Sequence, residues 1–255
     1  MSKNKRTKVN VYNPADAGIH NQGIAEAIQR VDKSQAFGNL ATLILIPTRG
    51  GRSLSPRAVG TWFNLMKPMN QAVSSPIFLV GQEVGAAYES AFTSTIDNPG
   101  LKDYQFILTI EDDNLPSPDG LLKLYESING KVDGHRYDAM GGLYWTKGYG
   151  GMPMIYGDPK VLPKNFRPIP PVLEAVQPCN GLGMGFTLFR LKMFREGRIP
   201  RPWFKTEQSY QYGQGARAFT QDLYFFDQAG GLGYKFAADT RVKVGHYDVD
   251  TDTVW

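Results

Sequence analysis

Residues 107–124 read ILTIEDDNLPSPDGLLKL, and this stretch decides the fold. It is the tail of an apolar run over 104–110, it halts at three consecutive acids, Glu111, Asp112 and Asp113, and it resumes as a helical pattern over 120–128. A continuous apolar run closed by charge is the pattern of a buried parallel strand, not of a half-exposed alternating one. Toward the amino end, ATLILIP at 41–47 is a second such run, stopped by Pro47 and followed by Thr48-Arg49-Gly50-Gly51. PIFLVG at 76–81 is a third, and helical spacing is expected between the runs over 58–69 and 84–96. Strand, helix, strand, helix, strand predicts a parallel sheet with right-handed crossovers. Ligands of such sheets bind beyond the carboxyl ends of the strands, which places the Thr48 loop, the Gln82-Glu83 turn and the acids on one edge.

Toward the carboxyl end a further strand is expected over 138–145. The segment 147–178, including YGDPKVLPKNFRPIPP, has no periodicity and exceeds an ordinary connection, so it reads as an active-site flap or acceptor-facing insertion. A glycine-rich turn, Asn180-Gly181-Leu182-Gly183-Met184-Gly185, leads into a strand at 186–189. The run from Trp203 to Gly215, rich in aromatics and glycine, is a candidate lid with an aromatic platform, though aromatics more often serve the core. Residues 1–38 mix polar residues with one helix-like stretch, 23–31, and read as an extension ahead of a single domain at 39–255. No internal repeat is visible.

With 255 residues and 42% hydrophobic content the chain can bury one good core. No apolar run reaches the roughly 18–20 residues of a membrane span, and the start, MSKNKRTKVN, lacks the apolar stretch of a secretion signal. The expectation is a cytosolic protein without a membrane partner. Its single cysteine, Cys179, cannot close an intramolecular disulfide, in keeping with a reducing compartment. The formal charge of +4 owes much to Lys3, Lys5, Arg6 and Lys8, which suit either a solvated tail or a weak phosphate or nucleic-acid contact.

Carboxylates at the end of a buried strand are costly unless a positive charge sits among them. Alternation along an extended chain directs Glu111 and Asp113 to one side and Asp112 to the other. Hard oxygen donors of this kind suit Mg2+ or Mn2+ on the phosphates of a nucleotide, and a solvated strand-end turn is the plainer alternative. Asp222, ahead of Leu223-Tyr224-Phe225-Phe226, is either a carboxylate placed to take a hydroxyl proton or a helix N-cap. His246 ends an apolar strand and is either structural or a metal ligand.

The 107–124 stretch resembles the strand, DxD-type motif and following helix of GT-A glycosyltransferases of the family-2 kind, with Glu111 in the first acidic position and Asp113 in the second. TQDLYFF at 220–226 and GGLGYKFAADTRVKVGHYD at 230–248 are similar to the family's late acidic motif, helix, glycine turn, final strand and histidine. The resemblance covers roughly residues 40–248; Glu111 stands where the family usually has Asp, and Gln221 where it usually has Glu. It implies an α/β, Rossmann-like nucleotide-diphospho-sugar transferase fold, a mixed, mostly parallel central sheet flanked by helices. It further implies a hexosyl- or pentosyltransferase using Mn2+ or Mg2+ held by Asp113, Glu111 and His246, with Asp222 as the base of an inverting transfer. Pro47, Thr48, Arg49, Glu83, Glu111, Asp112, Asn180 and Gly181 are implied contacts of a nucleotide-sugar donor, a UDP-sugar first. GGLYWTKGYGGMPMIYG, QPCNGLGMGF and RPWFKT resemble bacteriophage-encoded glycosyltransferases. That implies host cytoplasm and an acceptor that is a modified base in phage DNA or a glycan. Two alternatives remain beside it: a nucleotidyltransferase, which Thr48-Arg49-Gly50-Gly51-Arg52 partly echoes, and a non-catalytic sugar- or nucleic-acid-binding module.

Overall fold

The computed structural model describes residues 38–48, 50, 54–211 and 215–255, without the side chains of 209–211 and 215–218. The expected helix at 23–31 and the basic tail lie outside the described residues, as do Arg49, Gly51, Arg52 and residues 212–214. Every residue of β1 (Thr42–Thr48) is buried, as its continuous apolar run requires. Helix α1 (Pro56–Phe63) follows, capped by the Ser55 hydroxyl, which accepts from Arg57 N at 3.2 Å, and opened by Pro56 in its first turn. It ends well before the expected residue 69. Pro68 disfavours helix at the residue before it, and the Met66 N–H is taken by the Pro118 carbonyl. Strand β2 (Val73–Val80) starts earlier than its apolar run and is largely exposed, as an edge strand.

After α2 (Val84–Asp97) come β3 (Phe106–Ile110), β4 (Asn114–Pro116), α3 (Gly120–Ile128) and β5 (Ala139–Leu143). The segment read as a flap carries the short β6 (Ile155–Tyr156), and its end is β7 (Val176–Cys179), followed by β8 (Gly181–Leu182). Contrary to the expectation of an irregular insertion, β7 belongs to the main sheet. It pairs antiparallel with a later strand whose edge it covers, Cys179 opposite Phe236. The chain continues through β9 (Phe186–Arg190), α4 (Lys192–Arg195), the hairpin β10 (Glu207–Gln211) and β11 (Gly215–Phe219), α5 (Gln221–Gly231), β12 (Phe236–Asp248) and β13 (Thr253–Val254).

The central sheet runs β13-β12-β5-β9-β3-β1-β2. Strands β2, β1 and β3 are mutually parallel, β5 and β12 are parallel, and β9 runs antiparallel between the two groups. Helix α2 packs on β1 and β2, and α3 on β5 and β12. The result is a mixed α/β fold with a mostly parallel central sheet flanked by helices, and residues 39–255 form one compact unit. Beneath α2 and α5 lies a phenylalanine core. The rings of Phe92 and Phe204 sit 4.7 Å apart, and Phe204 stacks on Phe225 at 5.0 Å. Trp203 and Phe204, read as part of a lid, are buried in this core, their N–H groups donating to Glu89 Oε2. Among the described residues no helix is long and apolar enough to cross a membrane.

Candidate active site at the carboxyl edge of the sheet

Three parallel strands deliver their carboxyl ends to one cleft of about 630 Å³. Pro47 and Thr48 close β1, Gln82, Glu83 and Val84 follow β2, and Glu111, Asp112 and Asp113 follow β3. Lys147, beyond β5, completes the lining. Six residues expected to meet a nucleotide-sugar or metal are thus brought together: Pro47, Thr48, Glu83, Glu111, Asp112 and Asp113. The alternation expected for the acids does not occur. Asn114 N donates to the Glu111 carbonyl at 3.0 Å, so the chain turns at Asp112 and Asp113 and all three acids line the cleft.

Strand β12 brings His246 to the same place, because its second half bends past a register shift after Asp239 and pairs with β4, His246 opposite Asn114. His246 Nδ1 lies 2.7 Å from the Trp145 carbonyl, which only accepts, so Nδ1 carries the proton. His246 Nε2 then lies 3.4 Å from Asp113 Oδ2, with the Lys147 ammonium 2.5 Å from the same carboxylate oxygen. Burial pushes the Asp113 carboxyl up, but His246 and Lys147 outweigh it and hold it below the usual range. Glu111 has no such compensation. Burial first, then the charges of Asp113, Asp222 and Asp112, push it up to about 8 against the opposing pull of Lys147. Beside them Asn114 is fully buried, and neither polar atom of its side chain has a hydrogen-bond partner.

Asp222, in the first turn of α5 and 5% exposed, is not among the residues that line the cleft, though its charge reaches Glu111. The N-cap is Thr220, so Asp222 is not the cap that its sequence context also allowed. Burial raises its carboxyl above the usual range, against hydrogen bonds from Thr220 and from Leu223 N at 2.9 Å. The hydroxyls of Tyr88, Tyr144 and Tyr156 are pushed up as well, by burial and then by the charges of Glu111 and Asp222, so the two acids share a wall of phenols. Glu83 is the N-cap of α2. Its Oε2 accepts from Ala86 N at 2.9 Å and its Oε1 from the Thr206 hydroxyl at 2.8 Å.

Asn180 and Gly181 are not at this cleft. The Asn180 side chain donates to the Asn165 carbonyl at 3.0 Å and lines a different cavity, and a Cβ at Gly181 would meet Phe166 at 3.0 Å. The glycines of 181–185 serve close packing instead of substrate approach: a Cβ at Gly183 or Gly185 would strike the Tyr144 ring or hydroxyl.

The fold recurs in a solved structure. The chain shares its fold with A197 from STIV, a viral protein. The two match with a TM-score of 0.55 and 19% identity over 84% of this chain and 92% of that one, a likeness of Rossmann-like α/β fold. No protein-family model matches the sequence, and no curated protein matches it.

Whether a divalent cation suits the cleft is decided by its donors. Among the described residues no three His, Cys, Asp or Glu side chains are gathered into a metal-holding group. The Asp113 and His246 pair, with the orphaned Asn114 amide beside it, nevertheless offers an oxygen and an imidazole nitrogen at the spacing of neighbouring ligands, and diphosphate oxygens can supply the rest. The residues present fit such an ion. Lys147 and Asn114 were not singled out from the sequence. Lys147 carried a usable signal, since it follows the strand expected over 138–145 in a Lys-Gly-Tyr-Gly-Gly turn, where the sheet rule puts ligands; the orphaned state of Asn114 exists only in the packed molecule.

Proposed function

We propose that the chain is a metal-dependent glycosyltransferase that moves a sugar from a nucleotide-diphosphate sugar, a UDP-sugar first, to an acceptor hydroxyl with inversion. The observation that carries this reading is the close pair of Asp113 Oδ2 and His246 Nε2, 3.4 Å apart, beside a cleft that also gathers the ends of β1, β2 and β3. It is joined by the sheet order, in which antiparallel β9 lies between the parallel strands β3 and β5, and by the likeness of 107–124 and 220–248 to GT-A sequences. Asp113 and His246, with Glu111 close by, would hold Mn2+ or Mg2+, which when bound acts as a Lewis acid toward the donor diphosphate.

The chain's own residues do the remaining work. The Asp222 carboxylate takes the proton of the acceptor hydroxyl as that oxygen forms its bond to the anomeric carbon. The bond from that carbon to the diphosphate oxygen breaks, and its electron pair leaves with the nucleoside diphosphate. Lys147, which pairs with Asp113 at the mouth of the cleft, would pair with the donor phosphates. Pro47 and Thr48 form the wall where a ribose and base would lie. The viral origin of A197 supports reading this chain as virus-encoded, with a base of phage DNA or a glycan as acceptor.

The test is a thermal-shift and mass-spectrometric screen of nucleotide-sugars with Mn2+, Mg2+ or EDTA. One donor that stabilises the protein only with metal, and is consumed when acceptor is added, supports the proposal. Absence of donor binding under every metal condition assigns the fold to a non-catalytic binding role.

A further inference from the structure

A second cavity, of about 470 Å³, opens on the opposite edge of the sheet from the acids. Parallel strands β5 and β12 begin there, with Tyr137 just ahead of β5 and Phe236 opening β12 against Cys179 at the end of β7. Its floor is apolar, since Tyr137, Cys179 and Phe236 are each at most 4% exposed. Its rim is cationic: Arg136, Lys164 and Lys235 line it, and no Asp or Glu does.

The neighbouring acids are committed elsewhere. Asp133 accepts from the Tyr137 hydroxyl and from His135 N, Asp138 Oδ2 accepts from Lys235 N at 2.9 Å, and Asp227 pairs with Lys164 at 3.0 Å. That leaves the side chains of Arg136 and Lys235 with no hydrogen bond or ion pair among the described residues. Arg136 also repels Arg190, adding to the burial that lowers the Arg190 guanidinium. Unpaired cations at the mouth of an apolar concavity raise one another's energy, and an anion seated between them relieves it. Leu162 and Val161, 86% and 49% exposed, extend the apolar surface on one side of the mouth.

We propose that this cavity binds a phosphate-bearing nucleotide, its phosphate held by Arg136 and Lys235 and its flat base against the apolar floor. A guanidinium offers two parallel donors to a phosphate, and the cavity's size falls in the range of about 300–1,000 Å³ common to small-ligand sites. The nucleotide is either free or the end of a nucleic-acid strand. The site uses none of the residues of the acid cleft and stands whether or not that cleft transfers sugar.

The experiment titrates the full chain, in EDTA so that metal-dependent donor binding is silent, with AMP and separately with a fluorescein-labelled single-stranded oligonucleotide. We expect binding of at least one probe, weakened tenfold or more in Arg136→Ala/Lys235→Ala and unchanged in Lys67→Ala/Lys102→Ala, which removes equal charge outside the cavity. AMP alone identifies a free nucleotide, and the oligonucleotide alone identifies a strand. The proposal is overturned if wild type binds neither probe, if the cavity variant binds as wild type does, or if the remote variant loses as much. Circular dichroism checks the fold of both variants, and all four residues replaced are exposed.

Discussion

At the scale of single residues the decisive feature is how little solvent reaches Asp222. Its carboxyl is raised because burial outweighs the Thr220 and Leu223 hydrogen bonds, and a base with a raised value loses activity on acidification at a higher pH than an exposed carboxylate. The acid limb of kcat/KM should accordingly lie above the usual value of 3.8 and vanish in Asp222→Asn, whose transfer rate should fall by about 10²–10⁴-fold. Stability moves the other way. A folded value above the unfolded one means that the folded chain holds the proton more tightly, so this group's contribution is full below 3.8 and is lost as pH rises through the raised value. Asp222→Asn should therefore melt no lower than wild type at pH 7, with any gap closing as pH falls toward 4; a lower melting temperature at pH 7 would show that the ionised carboxylate stabilises the fold. Lys147 invites a separate measurement. With the ammonium gone, Lys147→Met should raise the donor KM by about 10- to 100-fold, the equivalent of about 1.5–3 kcal/mol for a hydrogen bond to a charged group, and should retain metal dependence. An unchanged KM would leave Lys147 as a mere counter-charge to Asp113.

At the scale of elements, the loops after β1, β2 and β3 are shaped by backbone accounting as much as by ligand chemistry. Glu83 shows this, because both its oxygens are engaged, one by the first turn of α2 and one by Thr206. Glu83→Ala should cost about 1 kcal/mol through the lost cap and lower the melting temperature by about 2–4 °C, readable by calorimetry without substrate. Were stability unchanged while donor affinity fell, Glu83 would be a ligand contact and not a cap. The parallel strands were legible from 41–47 and 104–110 because two-sided burial leaves an unbroken apolar run. Strand β7 was not, for VQPC holds only four residues, one of them proline, and takes its conformation from the exposed edge of β12. The turn at 112–113 was missed for a related reason: alternation holds only while the backbone stays extended, and the Asn114 to Glu111 hydrogen bond ends that at Ile110.

At the scale of the whole molecule, stability is concentrated under α2 and α5, where Phe92, Phe189, Phe204, Phe225 and Phe226 interlock. Phe189 touches the other four of these rings at centroid separations of 5.6–6.4 Å, so Phe189→Ala should cost about 3–5 kcal/mol in denaturant unfolding. A cost near 1 kcal/mol would mean that the cluster collapses around the gap. The sheet also keeps two chemically opposite sites apart, acids at the carboxyl ends of its strands and unpaired cations at the amino ends of β5 and β12. By itself the sequence determined the parallel α/β sheet, the edge on which the acids lie, and the candidacy of Asp113, Asp222 and His246, because apolar runs and their charged stops are local patterns. Only the tertiary structure decided that Lys147 joins Asp113, that Asn180 and Gly181 belong elsewhere, and that Arg136 and Lys235 line one cavity. Those neighbours are brought together by strand order and by the bend of β12, and no spacing along the chain encodes a distance across the sheet.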